Sequence, residues 1–245
     1  MKIEFYEEFP NKDNLKRLKS INFPTKIFMA AKSIQDFQKY EKIAKSYKKD
    51  LEVAYWPIVE NSYWISPFSN HLDLVKLFDE LKKIKNPLLI DLELPLRSRW
   101  KMYFKNFLSF RKNKKLIKKF LEENKKRITT AEYPFAFVSN FMKFLGLTYK
   151  INYERSVMWY SSMMKEKVNK IIKRNLSKIK NKKNYSISLG TIEIGILGNE
   201  PILPPNQLEK DLDFVKKIGF EKGVVFRLEG LNKRYLDVLN KFSND

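Results

Sequence analysis

The chain has 245 residues with no cysteine and a single histidine, His71, which excludes disulfides, a cysteine nucleophile, thiolate metal centres and histidine-rich zinc or iron sites. Hydrophobic residues make up 43% and charged residues 31%, the balance of a folded globular chain and not of a disordered one. The formal net charge of +21, from 49 basic and 28 acidic residues, raises nucleic-acid binding, but lysine far outnumbers arginine, and asparagine and isoleucine are also abundant, so a coding bias that scatters lysines over solvent faces is the expected cause and nucleic acid is not the expected partner.

Met1-Lys2-Ile3-Glu4 enters the first strand-like segment, Ile3–Phe9, without the apolar core of a signal peptide, and no stretch reaches the apolar length of a membrane span. A soluble cytoplasmic protein is therefore expected. Leu15, Leu18 and Ile21 follow at helical spacing. The strand candidate Lys26–Ala31 precedes a helical pattern in Phe37, Tyr40, Ile43, Ala44 and Tyr47. Leu51–Ile58 precedes another in Leu72, Val75, Phe78 and Leu81. The fourth candidate is Leu88–Leu94. The fifth and sixth are Arg127–Tyr133 and Ser156–Ser161, and the stretch from Lys165 to Lys183 places Val168, Ile172, Leu176 and Ile179 on one helical face. After Ser186–Ile192, Pro204-Pro205-Asn206 reads as a helix start for Leu208, Leu212, Val215 and Ile218. Gly223–Glu229 is the eighth strand.

Eight strands alternating with helices over this length predict one (β/α)8 TIM barrel domain spanning residues 1–245. An open doubly wound sheet is the runner-up. It would carry a glycine-rich loop early, whereas the first strand ends in Tyr6-Glu7-Glu8-Phe9-Pro10. Two segments exceed a minimal barrel. Leu96–Lys126, after the fourth strand, is long, basic and rich in large apolar residues such as Trp100, Met102, Tyr103, Phe104 and Phe107. Phe135–Leu147 adds Phe137, Phe141 and Phe144. Extra helices packed on the barrel account for both. A peripheral membrane contact, or contact with a lipid-linked substrate, is the sharper reading.

Active sites of such barrels lie at the C-terminal ends of the strands. Asp91 and Glu93 lie two residues apart there, on one face of the fourth strand with Leu89, while Leu88, Ile90, Leu92 and Leu94 take the other. Two coupled carboxyls among apolar neighbours raise one another's pKa, so that one can remain protonated as a general acid. The other strand ends offer Tyr55 and Trp56, Glu132 and Tyr133, Trp159, Tyr160 and Ser161, and Arg227 and Glu229. Carboxylates beside tryptophan and tyrosine suit a sugar, whose ring stacks on an aromatic face. Glu7, Glu8 and Glu193 read as structural carboxylates, and His71 as a loop or capping residue.

Asp91-Leu92-Glu93 resembles the end of the Asp-x-x-Asp-x-Asp-x-Glu signature of family 18 glycoside hydrolases, the chitinase-like barrels. Met158-Trp159-Tyr160 is similar to that family's Met-x-Tyr-Asp, Gly223-Val224-Val225-Phe226 to its eighth strand, and Ala131-Glu132-Tyr133-Pro134 to its fifth-strand end. The resemblance implies a glycosidase acting on a carbohydrate or glycoconjugate without a cofactor. Glu93 would protonate the leaving oxygen, Asp91 would orient an N-acetyl group that attacks the anomeric carbon, and Tyr160 would bond its carbonyl. From the strand ends themselves, Trp56, Tyr55, Glu132, Trp159, Arg227 and Glu229 are the expected substrate contacts. In an ordinary two-carboxylate scheme, Glu132 or Glu229 would partner Glu93.

Four positions depart from the family pattern. Asn86 and Leu89 replace the upstream aspartates, Ser161 the sixth-strand aspartate and Arg227 the floor tryptophan, while Ala54-Tyr55-Trp56-Pro57 replaces Ser-x-Gly-Gly. Arg227 would suit an acidic sugar or a phosphate. The alternatives are a non-catalytic barrel for glycans or anionic ligands, a Mg²⁺ enzyme built on Asp91, Glu93, Glu132 and Glu229, and nucleic-acid binding through lysine-rich faces. Oligomeric state has no signature in the chain.

Overall fold

A computed structural model describes residues 1–95, 107–135 and 139–243. Eight parallel strands form a closed barrel in sequence order: β1 (Lys2–Glu7), β2 (Lys26–Ala31), β3 (Glu52–Pro57), β4 (Leu88–Asp91), β5 (Ile128–Glu132), β6 (Glu154–Met158), β7 (Tyr185–Gly190) and β8 (Lys222–Phe226). Closure runs through β1, where Phe5 sits opposite both Ile27 of β2 and Val225 of β8. All eight expected strands form, seven of them one to three residues shorter at the C-terminal end, where the chain leaves the ladder for the loops.

Because side chains alternate along a strand, barrel closure sorts them into two shells. Tyr6, Phe28, Trp56, Leu89, Met158 and Phe226 point inward and fill the barrel. Phe5, Ile27, Tyr55, Ile90, Val157 and Val225 point outward into the layer between strands and helices. The inner shell holds small polar groups as well. Ser188 Oγ lies 3.2 Å from Tyr6 Oη and 2.6 Å from Ser156 Oγ, so these buried hydroxyls satisfy one another.

Around the barrel lie α1 (Lys12–Lys16), α2 (Ile34–Tyr47), α3 (His71–Leu81), α4 (Phe110–Asn124), α5 (Asn140–Leu145), α6 (Glu166–Ser177), α7 (Pro205–Lys217) and α8 (Lys233–Ser243). Polar caps fix several starts. Ser33 Oγ accepts from Asp36 N at 3.1 Å before α2, and Asn70 Oδ1 accepts from Leu72 N at 2.9 Å before α3. His71 is thus the first residue of α3, and its Nδ1 lies 2.7 Å from Asn113 Oδ1.

Half of the expected face of α3 holds. Phe78 and Leu81 are buried together with Leu74 and Leu77, whereas Val75 is half-buried and Leu72 is 75% exposed. Spacings of three accumulate a drift around a helix of 3.6 residues per turn, so a run of three such steps leaves the core face. α8 has no counterpart among the sequence-predicted patterns. It buries Tyr235, Val238, Leu239 and Phe242. Of the long segment after β4, α4 is a described helix. Trp100, Met102, Tyr103 and Phe104 lie outside the described residues, as does Phe137.

α3 and α4 meet through the rings of Phe78 and Phe120, stacked 4.2 Å apart at an interplanar angle of 8°, both almost fully buried. Phe78→Ala removes one ring and leaves a cavity its neighbours cannot fill. A loss of about 3–5 kcal/mol is expected in urea denaturation.

Candidate active site

The C-terminal strand ends and the loop after β7 enclose a cavity of about 170 Å³. Its floor is the top of the inner shell, with Tyr6, Leu89, Ala131, Met158 and Phe226. Trp56, Trp64, Tyr133 and Tyr160 add aromatic walls, and Glu8, Asp91, Glu93 and Glu200 are the carboxylates of the lining. No lysine, arginine or histidine lines the cavity among the described residues, despite the chain's net charge of +21.

Parity explains how the expected residues distribute. Leu89 and Asp91 face inward on β4 and Glu93 continues the same face just past the strand, while Leu88, Ile90 and Leu92 enter the outer shell. Neighbours along an extended strand end cannot both face the cavity, so one residue of each expected adjacent pair turns away. Trp56 lines the cavity, whereas Tyr55 stacks on Phe37 of α2 with ring centroids 4.6 Å apart. Tyr160 lines it, whereas Trp159 is fully buried against Phe214 of α7 and donates Nε1–H to Asn169 at 2.8 Å. Tyr133 lines it, whereas Glu132 faces outward.

Glu132 is the centre of a buried ion pair. It pairs with Arg155 and accepts from Thr130 Oγ1 at 2.8 Å and Tyr153 Oη at 3.3 Å. Arg155 also donates to Thr148 Oγ1 at 3.0 Å and lies over the Tyr153 ring. Burial raises the Glu132 pKa, and Arg155 offsets the rise.

Arg227 and Glu229 also lie outside the cavity lining. Arg227 pairs with Glu229 and lies 4.7 Å from the ring centre of Phe9. Asn14 Nδ2 donates to Glu229 Oε2 at 3.1 Å, and Glu229 N donates to Glu7 Oε2 at 3.0 Å. This cluster ties the ends of β1 and β8 to α1. The guanidinium bonds there through Nη2, while its Nε and Nη1 are buried without a hydrogen-bond partner. With Glu132 and Glu229 each tied elsewhere, the four carboxylates considered for Mg²⁺ do not converge, and no group of three or more His, Asp or Glu placed to hold a metal occurs among the described residues. Ser161, at the sixth-strand position, donates its hydroxyl to Asp211 of α7.

Glu8, read from the sequence as structural, lines the cavity. Its Oε1 accepts from Tyr63 Oη at 2.5 Å, and burial pushes its pKa up to about 7 against the pull of Tyr63 and Arg227. Its inward parity with Tyr6 was the available signal. Glu200 had none, because the loop after β7 has no periodicity. Its Oε1 accepts from Leu197 N at 3.0 Å and its Oε2 from Asn199 N at 3.1 Å. Gly195 lets that loop close in. A Cβ there would sit 2.8 Å from both Glu200 Oε1 and Phe226 Cζ and 3.0 Å from Glu8 Oε2.

Asp91 and Glu93 titrate together. Burial, then the charge of Glu93, holds Asp91 well above the usual carboxylate range. Burial also raises Glu93, but Tyr133 and Asp91 hydrogen-bond its carboxylate and hold the rise to about 7. Trp56 Nε1 and Asp91 Oδ1 are buried with no partner at hydrogen-bonding distance, although the indole lies close enough to temper the rise at Asp91. The pair can therefore hold a proton near neutral pH beside unsatisfied polar atoms, which is what a general acid requires.

No protein-family profile and no curated protein matches the chain. Solved structures do match across almost its whole length. The PgaB (BpsB) glycoside hydrolase domain from Bordetella bronchiseptica is 10% identical with a TM-score of 0.58, over 99% of this chain and 98% of that one. A family 18 N-acetylglucosaminidase from Paenibacillus barengoltzii is 11% identical with a TM-score of 0.52, over 98% and 99%. A GH5 xyloglucanase from Bacteroides ovatus is 12% identical with a TM-score of 0.52, over 96% of this chain and 68% of that one. At these identities the likeness establishes the barrel fold. The same fold occurs in glycoside hydrolases of several families, so the likeness does not single out family 18.

Two outcomes separate the buried carboxylates. Glu132→Gln strands Arg155 in the outer shell and should cost about 3–5 kcal/mol in chemical denaturation without changing the cavity. Glu4, Glu7, Glu8 and Glu93 are each raised from 4.5 to about 7. The folded state thus holds protons that the unfolded chain releases, so this stabilisation is complete below pH 4.5 and is lost as pH rises through about 7. Thermal melting across that range should show the midpoint falling with rising pH, with a smaller fall in Glu93→Gln.

Proposed function

We propose that this barrel is a glycosidase acting on a glycan or glycoconjugate bound in the cavity, with Glu93 as general acid. The observation that supports it best is the enclosed Asp91–Glu93 pair at the end of β4, below aromatic walls. Trp56, Trp64 and Tyr133 offer faces for a sugar ring. The lining favours an uncharged or amine-bearing sugar over an acidic one, since it carries carboxylates and no base.

Glu93 gives its proton to the glycosidic oxygen as the bond to the anomeric carbon breaks. On an N-acetylated sugar the acetamido oxygen forms the new bond to that carbon, while Asp91 takes the amide N–H and Tyr160 donates to the carbonyl oxygen. Water then opens the cyclic intermediate and returns a proton to Glu93. On a sugar without that group, Glu8 or Glu200 would replace Glu132 and Glu229 as the second carboxylate, since both line the same cavity.

The assay is reducing-end release from N-acetylglucosamine oligomers and from neutral β-glucans. Glu93→Gln is expected to lower kcat by about 10²–10⁴-fold while melting like the parent at low pH. The wild-type kcat/KM should fall as pH rises through about 7, where Glu93 loses its proton. Wild-type turnover in Glu93→Gln would refute the assignment. Saturable sugar binding with no turnover in either protein would favour a non-catalytic binding barrel instead.

A further inference from the structure

Exposed apolar side chains are not spread evenly over this molecule. Of the ten large ones among the described residues, Ile171 lies midway along a helix. The other nine, from Phe9 after β1 to Ile202 after β7, lie between a strand's C-terminal end and the second turn of the next helix. They therefore share the face on which the cavity opens. A soluble enzyme with a small substrate has no need of such a rim, and exposed apolar surface bordered by polar residues marks an interaction site.

The rim is strongest beside β4 and β5. Leu108 is 92% exposed, Leu72 75%, Phe144 65% and Phe141 63%. The segments that carry them are tied together. Phe144 lies 6.2 Å from Phe110, which in turn lies 4.9 Å from Phe68, between centroids. Lys114 Nζ donates to Phe144 O at 2.7 Å and lies 5.6 Å from the centre of its ring. Asn113 donates to Pro67 O at 3.0 Å and to Ser69 O at 2.8 Å, which fixes the loop leading into Leu72.

Charge selects the occupant. Residues 107–121 and 139–153 contain no aspartate or glutamate, and Arg111, Lys112, Lys114 and Lys143 are interspersed in the chain with Leu108, Phe141 and Phe144; beside Leu72, Asp73 accepts from Asn61 Nδ2 at 2.8 Å. Aromatic and aliphatic tips ringed by cations fit the headgroup layer of an anionic bilayer. No helix among the described residues is long and apolar enough to cross a membrane, so the contact is one of surface docking.

We infer that the cavity face of the barrel docks on an anionic lipid bilayer through the sector around Leu72, Leu108, Phe141 and Phe144. The mouth then opens onto the headgroup layer. The inference does not depend on the identity of the general acid.

The test is co-sedimentation of the full chain with vesicles of phosphatidylcholine alone and with vesicles of phosphatidylcholine mixed with phosphatidylglycerol. Wild type should pellet with the mixed vesicles, and added salt should release it. F141S together with F144S should weaken binding about tenfold or more, with only a small loss of melting temperature because both rings are mostly exposed. Equal binding to both vesicle types, or wild-type affinity in the double variant, overturns the inference. So does failure to pellet combined with concentration-dependent self-association that the double variant abolishes, because the rim would then be a contact between two copies of this chain.

Discussion

Everything in this molecule follows from the alternation of side chains along strands that have been closed into a ring. A parallel strand in a barrel has no solvent face. Each residue enters either the barrel or the layer beneath the helices. An ionisable group placed past the first residue of such a strand is therefore buried whichever way it points, and its environment must account for it. On the outer side Glu132 is answered by Arg155. On the inner side Asp91 is answered by Glu93, a group of the same sign. The outer arrangement neutralises charge and locks β5 to β6. The inner one retains a proton and leaves polar atoms unsatisfied, which costs stability and supplies reactivity.

The same logic separates stability from recognition among the arginines. Arg155 and Arg227 are buried cations, and each ties elements together, although Arg227 keeps Nε and Nη1 without a hydrogen-bond partner. Arg155 joins β6 to the segment before it, and Arg227 joins the end of β8 to Glu229 and Phe9. The net charge of the chain thus stays on its exterior. The cavity is acidic and aromatic inside a basic protein, so the field a ligand meets within it differs in sign from the field that guides its approach.

Much of this was legible from sequence because it rests on local periodicity. The eight strands and the inward set Leu89, Asp91 and Glu93 follow from a period of two and from the apolar run around them. What escaped were properties that depend on register and on loops. Choosing residues near strand ends without fixing parity put Tyr55 beside Trp56, Glu132 beside Tyr133 and Trp159 beside Tyr160, although each pair must divide between two shells. In α3 a spacing of three could not tell Leu72 from the buried face. Glu200 reaches the cavity through a loop whose path is set by tertiary contacts at Gly195, and no pattern in the chain announces it.

Gly195 also separates two properties of the cavity. The proton-holding pair is supplied by β4, while the approach of the loop after β7, set by the missing side chain at 195, governs how much room faces it. Capacity and acidity are therefore written in distant parts of the chain. A lineage could resize what the barrel accommodates by drift in one connecting loop and inherit its proton chemistry unaltered.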